Sequence, residues 1–141
     1  MFVESRDQSR QFFFALWRKL AADEPLSPLE HLVANVLRAH PEYHRLLGEG
    51  ERAMTRDFAP GEINPFLHLG LHVALVEQLQ TDRPTGVQAV HRSLVMQAGG
   101  DVHEAEHRML DCLAQVLWQA SQRGVAPDEQ DYLARLKALL K

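Results

Sequence analysis

Four prolines punctuate this chain at points where helices should begin, and they constrain its fold more than any other feature. Ser27-Pro28 followed by Glu30 has the form of an N-cap, a proline at the first helical position and a capping-box partner. His40-Pro41, Asn64-Pro65 and Ala126-Pro127 repeat the proline start, while Asp101 with Glu104 and Ser5 with Gln8 offer further capping boxes. Alternating runs of Val, Ile and Thr are missing, so strands have no support and apolar residues recur at helical spacing.

Helices are predicted over 6–22, 28–39, 41–47, 65–80, 86–98, 102–123 and 128–140. The stretch 48–63, with three glycines, Pro60 and many charges, is expected to be a long connection holding one helical turn around 52–57. Helices joined by short loops bury their apolar stripes against each other, so the expected fold is all-α, an antiparallel helix bundle of about six to seven helices. At 141 residues and 45% hydrophobic content the chain is expected to form one domain spanning 1–141.

A net charge of −4 gives no electrostatic reason to expect nucleic acid or an anionic membrane as a partner. The small basic group Arg6, Arg10, Arg18 and Lys19 is expected to be a solvated helix face. Cys112 is the single cysteine, which excludes an internal disulfide and the usual thiolate zinc site and suits a reducing cytoplasm. The apolar run from Phe12 to Leu20 is broken by Arg18 and Lys19 and is too short for a membrane span.

Eight histidines include three pairs at i, i+4: His40 and His44, His68 and His72, His103 and His107. Residues four apart share a helix face, so both rings of a pair can reach one ion, and random placement would give only roughly half of one such pair. His68 and His72 fall with Leu71, Leu75 and Leu79 on the face expected to be buried, opposite Gly70 and Glu77. His103 and His107 fall with Leu110, Ala114, Leu117 and Trp118, with Arg108 and Cys112 pointing elsewhere. Four buried neutral imidazoles lacking partners would cost on the order of 1–3 kcal/mol for each unmet group. A metal ion removes that cost, and helix-bundle cores commonly hold one.

The expected ligands are therefore His68, His72, His103 and His107, with Glu106 as a ligand or as the base of a catalytic site, and Asp111 as an acceptor for the His107 ring. Iron or zinc suits imidazole with a carboxylate. His40 is expected to cap the helix begun by Pro41 with His44 one turn in, and this pair is the weaker candidate for the site. His91 is expected to be a satisfied core histidine and His31 a solvated one. The string His103-Glu104-Ala105-Glu106-His107 matches the H-x-x-E-H of inverted zinc peptidases, yet only 34 residues follow it and their large scaffold has no room here. The competing expectation is a metal-free interaction module with a hydrogen-bonded polar core, whose partner is another protein or a second copy of the chain.

The segments H-P-E-Y-H (40 to 44), N-P-F-L-H-L-G-L-H (64 to 72), Glu77-Gln78, H-E-A-E-H (103 to 107) and L-W-Q-A (117 to 120) resemble an uncharacterised bacterial family, domain of unknown function 1841. The resemblance spans almost the whole chain and implies no particular chemistry. Paired histidines on neighbouring helices are also similar to hemerythrin and DinB bundles, which implies a site for iron or zinc. The hemerythrin H-x-x-x-E element is not matched, because the fourth residue after His72 is Val76.

Overall fold

The computed structural model describes residues 6–59, 62 and 64–140, and the capping pair expected at Ser5 and Gln8 begins outside them. The described residues form seven α-helices and two 3-10 turns with no strand. The chain divides within its fourth helix into two compact units, Met1–Val73 and Ala74–Lys141. None of the described helices is long and apolar enough to cross a membrane.

The first unit holds α1 (Arg6–Ala21), α2 (Pro28–Arg38), a 3-10 turn (Pro41–Tyr43), α3 (His44–Glu49), a second 3-10 turn (Gly50–Ala53) and the beginning of α4 (Pro65–Thr81). The start of α2 follows the sequence closely: Ser27 Oγ accepts from the Glu30 N–H and Glu30 Oε1 accepts from the Ser27 N–H. Its buried residues Val33, Ala34, Val36 and Leu37 repeat at helical spacing and meet Phe13, Phe14, Leu16, Leu47 and Phe66 in the apolar interior of this unit. The helix expected over 41–47 is in fact a 3-10 turn leading into α3, because Pro41 and the short run to Gly48 leave no room for a longer α-helix.

One expectation fails in α1. Arg10 is not solvated but 1% exposed. It precedes Phe13 and Phe14 by three and four residues, and so lies on the same face as the buried phenylalanines. Lys19, by contrast, reaches Glu30 Oε2 at 2.8 Å near the surface.

The second unit holds the rest of α4, α5 (Val87–Gln97), α6 (Val102–Arg123) and α7 (Glu129–Ala138). Its interior is built from Leu75, Val87, Val90, Leu94, Met109, Leu113, Val116, Tyr132 and Leu136. Tyr132 donates its hydroxyl to Gln78 Oε1 at 2.7 Å, which satisfies the one polar atom that this ring carries inward. Gly124 ends α6 at φ +64°, a conformation that lets its N–H reach the Ala120 and Ser121 carbonyls. Asp128 caps α7, so Pro127 stands just before the helix rather than at its first position.

The expected inward face of α6 is also corrected. Its buried arc is Ala105, Met109, Cys112, Leu113, Val116 and Ala120, while Leu117 and Trp118 are 36% and 64% exposed. Leu110 is buried at the flank of that arc, and Cys112 lies within it. The helix carries apolar residues on two arcs, and the one with Leu117 and Trp118 is not the one that packs.

Candidate metal centre

The centre begins at the end of α2. Pro41 disfavours helical geometry for the residue before it, and His40 leaves the helix at φ −122°, ψ 65°. Its ring folds back on the helix it has just left, where the last carbonyls have no partner within the helix. His40 Nδ1–H donates to the Val36 carbonyl at 2.8 Å, and His44 Nε2–H donates to the Leu37 carbonyl at 2.8 Å. A ring that donates from Nδ1 and is neutral presents a lone pair at Nε2. His40 is fully buried, so that lone pair is aimed into the protein rather than at water.

What it meets comes from α4. Asn64 Oδ1 accepts from the N–H groups of Phe66 and Leu67 at 3.0 and 3.3 Å and starts the helix at Pro65. From that start His68 and His72 fall one turn apart on one face, with ring centroids separated by 6.1 Å. The His40 ring stands 4.9 Å from each of them, nearly perpendicular to both. His40 Nε2 lies 3.0 Å from His68 Nε2 and 3.4 Å from His72 Nδ1. His72 is 3% exposed and His68 is half-buried.

These separations have a chemical meaning. Two imidazole nitrogens bound to one ion at 2.0–2.1 Å with tetrahedral angles stand roughly 3.3 Å apart. The carbonyl that fixes His40 through Nδ1 is the kind of outer partner that holds a metal-bound imidazole in its tautomer. The donor set is three imidazole nitrogens, which suits a borderline transition ion better than a hard cation such as magnesium or calcium. Tyr43 closes one side: its ring lies parallel to His40 at 5.6 Å and edge-on to His68 at 6.0 Å. Burial, and then the charge of Glu42, raise the Tyr43 phenol above its ordinary pKa, so it stays protonated at neutral pH.

His44 does not join the three rings; it packs 4.6 Å from Trp17 and closes the end of α2. In the second unit His103 is exposed, against expectation, because it lies off the packed arc of α6. His107 is half-buried, and its ring stands 3.9 Å from that of His103. Glu106 is half-buried and its Oε2 accepts from His91 Nε2–H at 2.9 Å, which gives His91 the satisfied role expected of it. Asp111 and His31 are exposed. Asp101 caps α6 by accepting from the Glu104 N–H at 3.0 Å, while Glu104 turns to Arg108.

Sequence reasoning placed His40 at the margin, whereas it stands between the two α4 histidines. The signal was available in Pro41, which ends α2 one residue earlier and frees the His40 ring to turn back.

A family model described as a domain of unknown function, DUF1841, matches residues 5–138. No match was found among curated proteins or solved structures.

Proposed function

Since the chain belongs to the DUF1841 family, whose description assigns no activity, we propose from the site itself that the protein is a metal-binding helical protein with His40, His68 and His72 as ligands. The observation that carries this reading is the meeting of three ring nitrogens at 3.0–3.4 Å around a His40 whose other nitrogen is committed to a backbone carbonyl. The ion is zinc or iron, both of which accept imidazole nitrogen readily.

Three protein ligands leave a position for a fourth donor or for water. Within the second unit, His103 and His107, with rings 3.9 Å apart on α6, are candidate ligands in their own right, and the partial burial of His107 makes it the better of the two. Glu106, already accepting from His91, is the candidate carboxylate for a ligand or base. With water in the fourth position the ion supports metal-assisted hydrolysis or redox and metal sensing; with a protein donor there its role is structural. A cytoplasmic location agrees with the single free cysteine.

The test is elemental analysis of protein purified with no histidine tag, alongside His40→Ala, His68→Ala and His72→Ala. About one ion per chain, lost in all three variants, is expected. A metal-free chain after supplementation with zinc and iron favours the second reading, an interaction module. The His40–His68 contact of 3.0 Å supports that reading too, being an ordinary hydrogen-bond distance.

A further inference from the structure

Arg10 is the largest charged side chain in the interior and the proposed function has no use for it. Its Nη1 donates to the carbonyls of Ala53, Met54 and Arg56 at 3.2, 2.9 and 2.7 Å. The guanidinium carbon also lies 4.4 Å from the centroid of the Phe66 ring. Phe66 packs edge-on against Phe14 of α1 at 5.7 Å and against Phe58 of the connection at 6.1 Å. One cation thus gathers the turn after α3 and the first turn of α4 around α1. Carbonyl dipoles and an aromatic face stand in for water that this buried charge gives up.

Phe66 is two residues before His68 and six before His72, within one continuous helix. The first turn of that helix has the Asn64 cap on one side and the Arg10–Phe66 stack on the other. His40, in contrast, is set by the end of α2. The spacing of 3.0 and 3.4 Å between His40 and the two α4 rings therefore depends on α4 being held at a fixed rotation and height within the first unit.

We propose that Arg10 is a positioning residue for the three-histidine centre, acting through Phe66 on the placement of His68 and His72. This rests on the metal reading given above. Arginine suits the role because its planar fork serves several carbonyls and stacks on a ring at once, which lysine cannot do.

The experiment is a cobalt(II) titration of the full chain, followed by its visible absorption, for the wild type, Arg10→Lys, Arg10→Met, Phe66→Leu and the exposed control Arg18→Met. Loss of an outer partner of a metal site weakens binding by about tenfold or more. Arg10→Met and Phe66→Leu are expected to weaken cobalt binding by about that factor and to change the absorption bands at saturation, with Arg10→Lys intermediate and Arg18→Met unchanged. Should Arg10→Met fail to fold, Arg10→Lys and Phe66→Leu carry the test. Variants that melt earlier yet bind cobalt with wild-type affinity and bands overturn the positioning role and leave the metal reading standing. A wild type that takes up no cobalt overturns the metal reading, and this inference with it.

Discussion

His40 and His44 are separated by one helical turn in sequence, yet they hold different atoms. Both rings donate to the frayed end of α2, but only His40 turns its second nitrogen toward His68 and His72. His40→Ala is therefore expected to abolish metal uptake, whereas His44→Ala should retain it and lose only a half-buried hydrogen bond and its packing on Trp17, about 1 kcal/mol. Elemental analysis and urea melts of the two variants check this; equal metal loss in both would contradict it. Within α6, Glu104→Gln should leave metal content intact, since that side chain faces Arg108 at the surface, and Glu106→Gln should lower the melting temperature by weakening its contact with His91. The surface pair Lys19–Glu30 gives a pH signature free of the metal. Its partner lysine and the Ser27 N–H hold the Glu30 carboxyl below the usual range, and Glu30 holds Lys19 above its own. The stabilisation they share is thus present above the unfolded glutamate pKa of about 4.3 and fades as pH falls through the lower folded value. It fades again at the alkaline end, as pH rises through the raised folded pKa of Lys19. The melting difference between wild type and Lys19→Met should persist at pH 7 and shrink on acidification.

At the scale of helices, the beginning of α2 and the end of α6 followed from short-range chemistry alone. Ser27, Pro28 and Glu30 make a capping box, and Gly124 takes the left-handed turn, because each satisfies backbone groups within a few residues. Ser27→Ala should cost about 1 kcal/mol, read as a lower urea midpoint with an unchanged slope. Pro41 is expected to matter differently. Pro41→Ala would let α2 run past Ala39 and carry His40 onto the helix surface, weakening metal binding more than it lowers stability; a calorimetric metal titration set beside a melt distinguishes the two. The inward face of α6 was not legible in the same way. Its wheel offers two apolar arcs, one with Leu117 and Trp118 and one with Ala105, Met109, Leu113 and Val116, and the packed arc is the second. Hydrophobicity summed around a wheel does not decide which of two apolar arcs meets a neighbouring helix.

Across the whole molecule, the all-α class and the position of almost every helix were legible, and the histidine excess pointed to residues of which His68 and His72 do stand together, beside His40. The ring that stands between His68 and His72 was not legible from helix faces, because its direction depends on how the chain leaves a helix, and only Pro41 signalled that exit. Arg10 was missed for a related reason: a charge was assigned to water although its neighbours at three and four residues are Phe13 and Phe14. The two tryptophans are divided between the units, Trp17 in the first, half-buried against the His44 imidazole, and Trp118 in the second, largely exposed. Their light emission should differ accordingly, Trp17 emitting toward the blue and dimmed by its imidazole neighbour, Trp118 emitting toward the red and open to iodide quenching. Each unit thus contains its own optical probe. In Trp118→Phe the remaining signal tracks the unit with His40, His68 and His72, and in Trp17→Phe it tracks the other. Denaturation curves from the two single-tryptophan proteins, with and without a saturating chelator, should show the first midpoint falling on chelation. A second midpoint that falls equally would mean that both units melt as one cooperative body.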